Sequence, residues 1–211
     1  MDLTAMAAAF QRRFDAIMAA REVVLGASRR AIRAAANSIR AIHRGELDEA
    51  HRLQEEARRA LAEGEAAAGG HPPRVFGGML ADAQKEYAES VLTEAVIAGR
   101  DLPGPEEIGV ELAPYLNGMA EAIGECRRAI LDMLRTGHLE RSEEILRAME
   151  DLYYLLVTMD YPDGITGHLR RSTDIARGIL EKTRGDLSVS IGQQRLRAAL
   201  EQHADDLNRR D

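Results

Sequence analysis

The stretch VLGASRRAIRAAANSIRAIHR, residues 24–44, decides the fold. Leu25, Ile32, Ile39 and Ile42 recur close to the helical repeat of about 3.6 residues, and alanines fill much of the space between them. On a helical wheel Val24, Ile32, Ile39 and Ile42 lie on one side. Arg29, Arg33, Arg40 and Arg44 fall on the other, within a sector of roughly 60°, with Asn37 beside them. One oily seam and one arginine stripe describe a helix that buries a single face. The pattern extends back to about Thr4 and ends at Gly45, so the spacing predicts one long opening helix.

The same punctuation divides the rest of the chain. A second helix is predicted from Leu47 to Ala68, followed by the breaker Gly69, Gly70, His71, Pro72 and Pro73. A third runs from Val75 to Ala98, and Gly99 to Gly109, with Pro103 and Pro105, reads as a loop. The fourth covers Glu111 to Arg135, closed by Gly137. The fifth runs from Leu139 to Met159, stopped by Pro162 and Gly164. A sixth, Ile165 to Thr183, is expected to end at Gly185, and a seventh follows Ser188 or Ser190 as N-cap and runs toward Asn208. About seven helices joined by short connections predict an all-α antiparallel helical bundle, a single domain over residues 1–211. Composition agrees, because alanine, leucine, arginine and glutamate lose little side-chain entropy in a helix. Aromatics are only 4% with no tryptophan, and β-branched clusters that would mark strands are nearly absent.

Composition also narrows the function classes. Charged residues make up 30% of the chain, and no apolar run approaches the roughly 20 residues of a membrane span. The first ten residues carry Asp2 and lack a basic-then-apolar signal layout. A lone cysteine, Cys126, cannot form an internal disulfide, so a reducing, cytoplasmic setting is expected. A chain of 211 residues buries enough surface to fold without a structural metal. The net charge of −7 argues against coating nucleic acid by bulk charge, and shifts attention to whether the arginines cluster.

Two constellations carry potential chemistry. The stripe of Arg29, Arg33, Arg40 and Arg44 matches the spacing needed to track a phosphate backbone, since guanidinium groups grip phosphates by bidentate, charge-assisted hydrogen bonds. On periodicity alone it reads more readily as a solvated face paired with Glu22, Glu46 or acidic neighbours. The second constellation is four glutamates: Glu86 and Glu89 three apart, Glu121 and Glu125 four apart, each pair on neighbouring turns of one helix face. Paired carboxylates from two helices suit hard divalent cations. On the fourth helix Leu116, Met119, Ile123, Ile130 and Leu134 form the apolar face, and Glu121 and Glu125 point nearly opposite. A site there faces a neighbouring helix, a subunit interface or a cavity; without further information the four read as surface residues among 35 acidic ones.

Other candidates are weaker. Tyr153 and Tyr154 read as core or interface residues, or as one stacking platform for a base. His71, His138 and His168 lie near turns without ligand spacing, and Cys126 reads as a small buried hydrophobe. No Gly-rich phosphate loop, serine elbow or paired-cysteine zinc motif is present.

The order of short motifs adds a resemblance. Glu86-Tyr87-Ala88-Glu89-Ser90 resembles the Glu-Tyr-x-Glu-Ala segment of the factor X branch of the translin family. Tyr115-Leu116-Asn117-Gly118-Met119-Ala120-Glu121, continuing into Ala122-Ile123-Gly124-Glu125, resembles that branch's Tyr-Leu-x-Gly-Val-Ala-Asp-Leu-Thr-Gly-Glu segment. Arg170-Arg171 through Glu181-Lys182-Thr183-Arg184-Gly185-Asp186-Leu187 is similar to its last core helix. Ser28-Arg29-Arg30 and Ile42-His43-Arg44 match the character of its opening basic helix. The resemblance implies an all-α subunit assembled into a closed barrel, a homo-oligomer and by the same token an octamer, around single-stranded RNA or DNA. It implies an endoribonuclease site whose catalytic residues and ligands for Mg²⁺ or Mn²⁺ are Glu86, Glu89, Glu121 and Glu125. Glu121 stands where the family's catalytic members carry aspartate. Three readings follow: a metal-dependent ribonuclease, a binding protein with vestigial carboxylates, and a helical scaffold meeting acidic partners through the arginine stripe.

Overall fold

The structure, a computed structural model, describes residues 2–72 and 75–209; Pro73 of the expected breaker lies outside them. Among the described residues there are eight helices and no strand: α1 Leu3–His43, α2 Leu47–Ala68, α3 Gly77–Ala98, α4 Pro105–Ile108, α5 Leu112–Arg135, α6 Leu139–Val157, α7 Asp163–Thr166 and α8 Leu169–Asn208. The all-α bundle is as the sequence predicts.

Asp2 starts α1 by accepting hydrogen bonds from the backbone N–H groups of Thr4 and Ala5, both at 3.0 Å, which satisfies two otherwise orphaned donors. Gly45 reverses the chain with φ +74°, a left-handed conformation that favours glycine, and α2 runs back antiparallel along α1. Arg30 of α1 meets Glu63 of α2 at 2.6 Å, and the Ser38 hydroxyl donates to the Ala50 carbonyl at 3.1 Å.

α3 is the central helix, packed by α1, α2 and α5. Buried residues run around most of it, including Tyr87, Ala88, Leu92, Ala95 and Val96. The long Gly99-to-Glu111 connection crosses back over the bundle, so α5 runs in the same direction as α3. Gln84 accepts from the Glu111 backbone N–H at one end, and at the other Arg141, just after α5, donates to the Ile97 carbonyl. α6 then returns antiparallel to α5, and α8 returns antiparallel to α6, with Arg184 of α8 on Glu150 of α6 at 2.5 Å. One contiguous core joins α1, α2, α3, α5, α6 and α8, with Leu92, Met119, Ile123, Ile130, Ile145, Met149 and Leu180 buried in it.

Three details differ from expectation. The Gly99–Gly109 loop contains the one-turn helix α4, started by Pro105, whose fixed φ suits a first helical turn. The sixth helix begins at Leu169 after the separate turn α7. It also does not stop at Gly185: the predicted sixth and seventh helices are one, α8. Glycine inside a helix costs about 1 kcal/mol relative to alanine. Burying Leu180 and Leu187 is worth about 1.5–3 kcal/mol each, so packing outweighs the breaker. Ser188 and Ser190 are not caps; their hydroxyls donate to the carbonyls of Arg184 and Asp186 one turn back within the helix.

Candidate metal centre between α3 and α5

Gly118 makes the site possible. A β-carbon there would lie 2.6 Å from the Lys85 carbonyl oxygen, 2.9 Å from the Glu89 nitrogen and 3.0 Å from the Ala88 β-carbon. Only glycine lets the backbones of α3 and α5 come this close. The approach brings Glu86 and Glu89, one turn apart on α3, against Glu121 on α5.

The ligand oxygens of these three glutamates lie within 4.8 Å of one another. Among the described residues no other cluster of three acidic, histidine or cysteine side chains meets that spacing. Glu86 and Glu121 are partly exposed and touch Lys85, whose Nζ is 3.1 Å from Glu86 Oε1 and 2.5 Å from Glu121 Oε2. Glu89 lies deeper, only 9% exposed, and no hydrogen bond or ion pair among the described residues reaches its carboxyl group. Burial, and then the negative charges of Glu121, Glu86 and Glu125, push its pKa up to about 8. Lys85 responds oppositely: burial works to lower its pKa, but Glu121 and Glu86 overcome this and hold it above the ordinary value.

Glu125 is not part of the close group. Its Oε2 is 2.5 Å from His43 Nε2 at the end of α1 and 3.7 Å from Arg128. The His43 side chain is 5% exposed. That hydrogen bond outweighs partial burial and lowers the Glu125 pKa, so this carboxylate stays ionised beside a neighbour that does not. The expected orientation of the fourth helix thus resolves as a seam between helices: Glu121 and Glu125 turn from the face of Leu116 and Ile123 toward α3 and α1.

Hard oxygen ligands from three carboxylates, one buried and lacking a donor, fit Mg²⁺ or Mn²⁺ better than a soft-ligand metal. The crowding of the largely buried Glu89 against the carboxylates of Glu86 and Glu121 is the observation that makes the fit, because gathered like charges repel unless a cation answers them.

The fold has counterparts among solved structures. The complex of AfC3PO with duplex RNA superposes with a TM-score of 0.82 and 29% identity, covering 89% of this chain and 97% of that one. A second AfC3PO structure gives 0.78, 29% identity, and 89% and 98% coverage. Both neighbours are translin-family proteins. The chain is similar to translin-family proteins along most of its length.

Apo-NeC3PO shares the fold at a TM-score of 0.77 and 20% identity, covering 90% of this chain and 97% of that one. An uncharacterised protein of Methanocaldococcus jannaschii is 36% identical over 126 residues, a match that takes in 59% of this chain and 56% of that protein's length. No protein-family model matches the chain.

The arginine stripe of this chain is exposed along α1. Arg29 and Arg33 make no ion pair or side-chain hydrogen bond among the described residues. Arg40 donates to Asn37 Oδ1 at 2.5 Å, and Arg44 is held by Glu46, with two hydrogen bonds of 2.9 and 2.5 Å. Glu22 pairs with Arg21 instead. The stripe is therefore half committed to local partners and half free.

The remaining candidates are structural. Cys126 is fully buried and its thiol is pushed up to about 12, mainly by burial. Tyr153 packs on the core while Tyr154 is exposed. His71 stacks edge-on against Phe76, and His138 and His168 contact Thr136 and Asp163 beside their turns. Lys85 and His43 are the residues that sequence reasoning missed. His43 stands inside the basic segment that matched the family, but its partner is 82 positions away, beyond any local pattern.

Proposed function

We propose that the chain is an endoribonuclease that binds RNA inside an oligomeric shell and cuts single-stranded RNA with a divalent cation, Mg²⁺ or Mn²⁺, held by Glu86, Glu89 and Glu121. The observation that carries this reading is the gathering of Glu89, a largely buried residue that accepts no hydrogen bond among the described residues, with Glu86 and Glu121, their ligand oxygens within 4.8 Å of one another. A cation bound there supplies Lewis acidity, a nucleophile at neutral pH and neutralisation of charge developing on the phosphate. We assign Glu125, kept ionised by His43, to orient the attacking water and accept its proton. Arg29 and Arg33, with Arg40 and Arg44 once freed from Asn37 and Glu46, grip the backbone phosphates.

Support for RNA as ligand comes from the AfC3PO neighbour bound to duplex RNA. Support for a homo-oligomer, an octamer in the family's pattern, comes from apolar side chains with no partner in the subunit. Leu3, Phe10 and Phe14 line one end of α1, and Leu196 and Leu200 line the far end of α8. Leaving such stripes in water is unfavourable, and contact with further copies removes the cost. No helix among the described residues is long and apolar enough to cross a membrane.

The test is a cleavage assay on labelled single-stranded and duplex RNA with Mn²⁺, Mg²⁺ or chelator. Cutting of the single strand that chelator stops, and that Glu86→Gln removes while RNA binding persists, is the expected result. Binding of either RNA without metal-dependent cutting supports a second reading, a non-catalytic translin-like binder. One observation favours that alternative: Glu125 is engaged by His43 rather than gathered with the other three.

A further inference from the structure

Lys85 sits where a metal ion would compete for space. It precedes Glu86 on α3, and its single ammonium bridges carboxylates from two helices, Glu121 Oε2 at 2.5 Å and Glu86 Oε1 at 3.1 Å. These are two of the three residues that form the ligating triangle. The third, Glu89, is nine-tenths buried, belongs to the same cluster, and receives no hydrogen bond from Lys85 or any other donor among the described residues.

We propose that Lys85 is a tethered competitor for the divalent cation: in the metal-free chain its ammonium holds Glu86 and Glu121 together, and it leaves as the ion enters. This rests on reading the cluster as a metal centre. Metal uptake is then an exchange of one cation for another rather than the filling of an open acidic pocket.

The geometry and charge support an exchange. Mg²⁺ sits about 2.0–2.1 Å from its oxygens and demands a near-octahedral shell, so it cannot share the gap between Glu86 and Glu121 with an ammonium already in contact with both. Like charge adds to the steric conflict. An ammonium is a compact point charge on a flexible stem, and the Lys85 side chain is already 23% exposed, so rotation carries it into water without moving α3. It is also an incomplete substitute. One charge contacts Glu86 and Glu121 but leaves Glu89 without a direct partner among the described residues, whereas a divalent ion has the charge and the coordination number to answer all three. The consequence is a raised metal threshold: the seam stays closed by its own lysine until enough divalent cation is present.

The test is a titration of the full-length protein with Mn²⁺, without RNA, followed by the electron paramagnetic resonance signal of the free ion. Lys85→Met, which keeps the stem and removes the charge, is expected to bind Mn²⁺ at least tenfold more tightly than wild type. Lys85→Arg, which keeps the charge, is expected to bind no more tightly. Lys85→Gln serves as a second neutral variant should the methionine fail to fold by circular dichroism. Folded neutral variants that bind Mn²⁺ with wild-type or weaker affinity overturn the tethered competitor while leaving the metal centre standing. A wild type and a neutral variant that both bind no Mn²⁺ overturn the metal centre itself, and the proposal with it.

Discussion

Two glutamates on α3 are buried, and the helix treats them in opposite ways. Glu94, at 3% exposure, is surrounded by donors: His51 Nε2 at 2.7 Å, Gln54 Nε2 at 3.0 Å and the Arg100 guanidinium. Glu89, little more than one turn earlier and nearly as deep, accepts no hydrogen bond among the described residues and faces the charges of Glu121, Glu86 and Glu125 against the single cation Lys85. A buried charge is tolerated when it is paired and hydrogen-bonded, so Glu94 serves as a clamp between α2 and the end of α3. Glu89 does nothing for the fold that glutamine or leucine would not do better. Side chains that stability would not choose, placed where backbones are forced together, mark function.

The contrast can be broken at the point that creates it. Gly118→Val puts branched carbon into the Lys85 carbonyl, which no side-chain rotation relieves; overpacking of this kind costs about 1–3 kcal/mol, and the upper end is expected here. Urea unfolding measures the loss, and Mn²⁺ binding disappears with it because α3 and α5 separate. Glu94→Gln comes next. It weakens charge-assisted hydrogen bonds to a buried acceptor and costs about 1–3 kcal/mol at pH 7, read in the same unfolding assay. His51 and Arg100 are more than half exposed and rehydrate, which keeps the cost below that of stranding a fully buried partner.

Glu89→Gln sharpens the comparison because its sign is reversed. The folded-state pKa of Glu89 is raised to about 8, so the folded chain holds a proton that the unfolded chain releases near pH 4.5. The stability that Glu89 contributes is full below about pH 4.5, declines as pH rises toward 8, and is level above it. Glu89→Gln is therefore expected to raise Tm at pH 8.5, by about 2–4 °C for each kcal/mol in a chain of this size, and to change it far less at pH 5. The Glu94 variant should be destabilised at both. A Glu89→Gln chain that melts lower at pH 8.5 would show that Glu89 is paired after all.

The smallest effects belong to the exposed stripe. Arg29→Ala and Arg33→Ala should change stability by no more than about 0.5 kcal/mol, since both side chains are exposed and neither makes an ion pair or hydrogen bond among the described residues. Each should instead lower the slope of log affinity for RNA against log salt by about 1, measured by fluorescence anisotropy.

How much of this was legible in the sequence depends on the reach of each signal. Helix limits set by local chemistry were readable: Gly45, the Gly69-Gly70 pair and Gly99 end helices where their breaker character says. Gly185 misled because its effect is local and small, while the buried face of Leu169, Ala176, Leu180 and Leu187 is a property of the assembled bundle. The site divides along the same line. Glu86, Glu89 and Glu121 were recoverable from one-turn spacing and from motif order, and Gly118 stands inside the second motif. Lys85 on Glu121 and His43 on Glu125 are contacts between helices far apart in the chain, and nothing in the spacing of one helix encodes what the next will bring to it. The arginine stripe shows the converse. Its periodicity was plain, yet periodicity alone did not say that Arg44 is held by Glu46 while Arg29 and Arg33 are free.

The central claim is that the seam between α3 and α5 is a divalent-cation site, and anomalous X-ray diffraction from crystals grown with Mn²⁺ tests it most directly. The account predicts one strong anomalous peak bounded by the carboxylates of Glu86, Glu89 and Glu121, with the Lys85 ammonium moved out of its contact with Glu121. Absence of that peak at saturating Mn²⁺, with Lys85 still seated on Glu86 and Glu121, would contradict it.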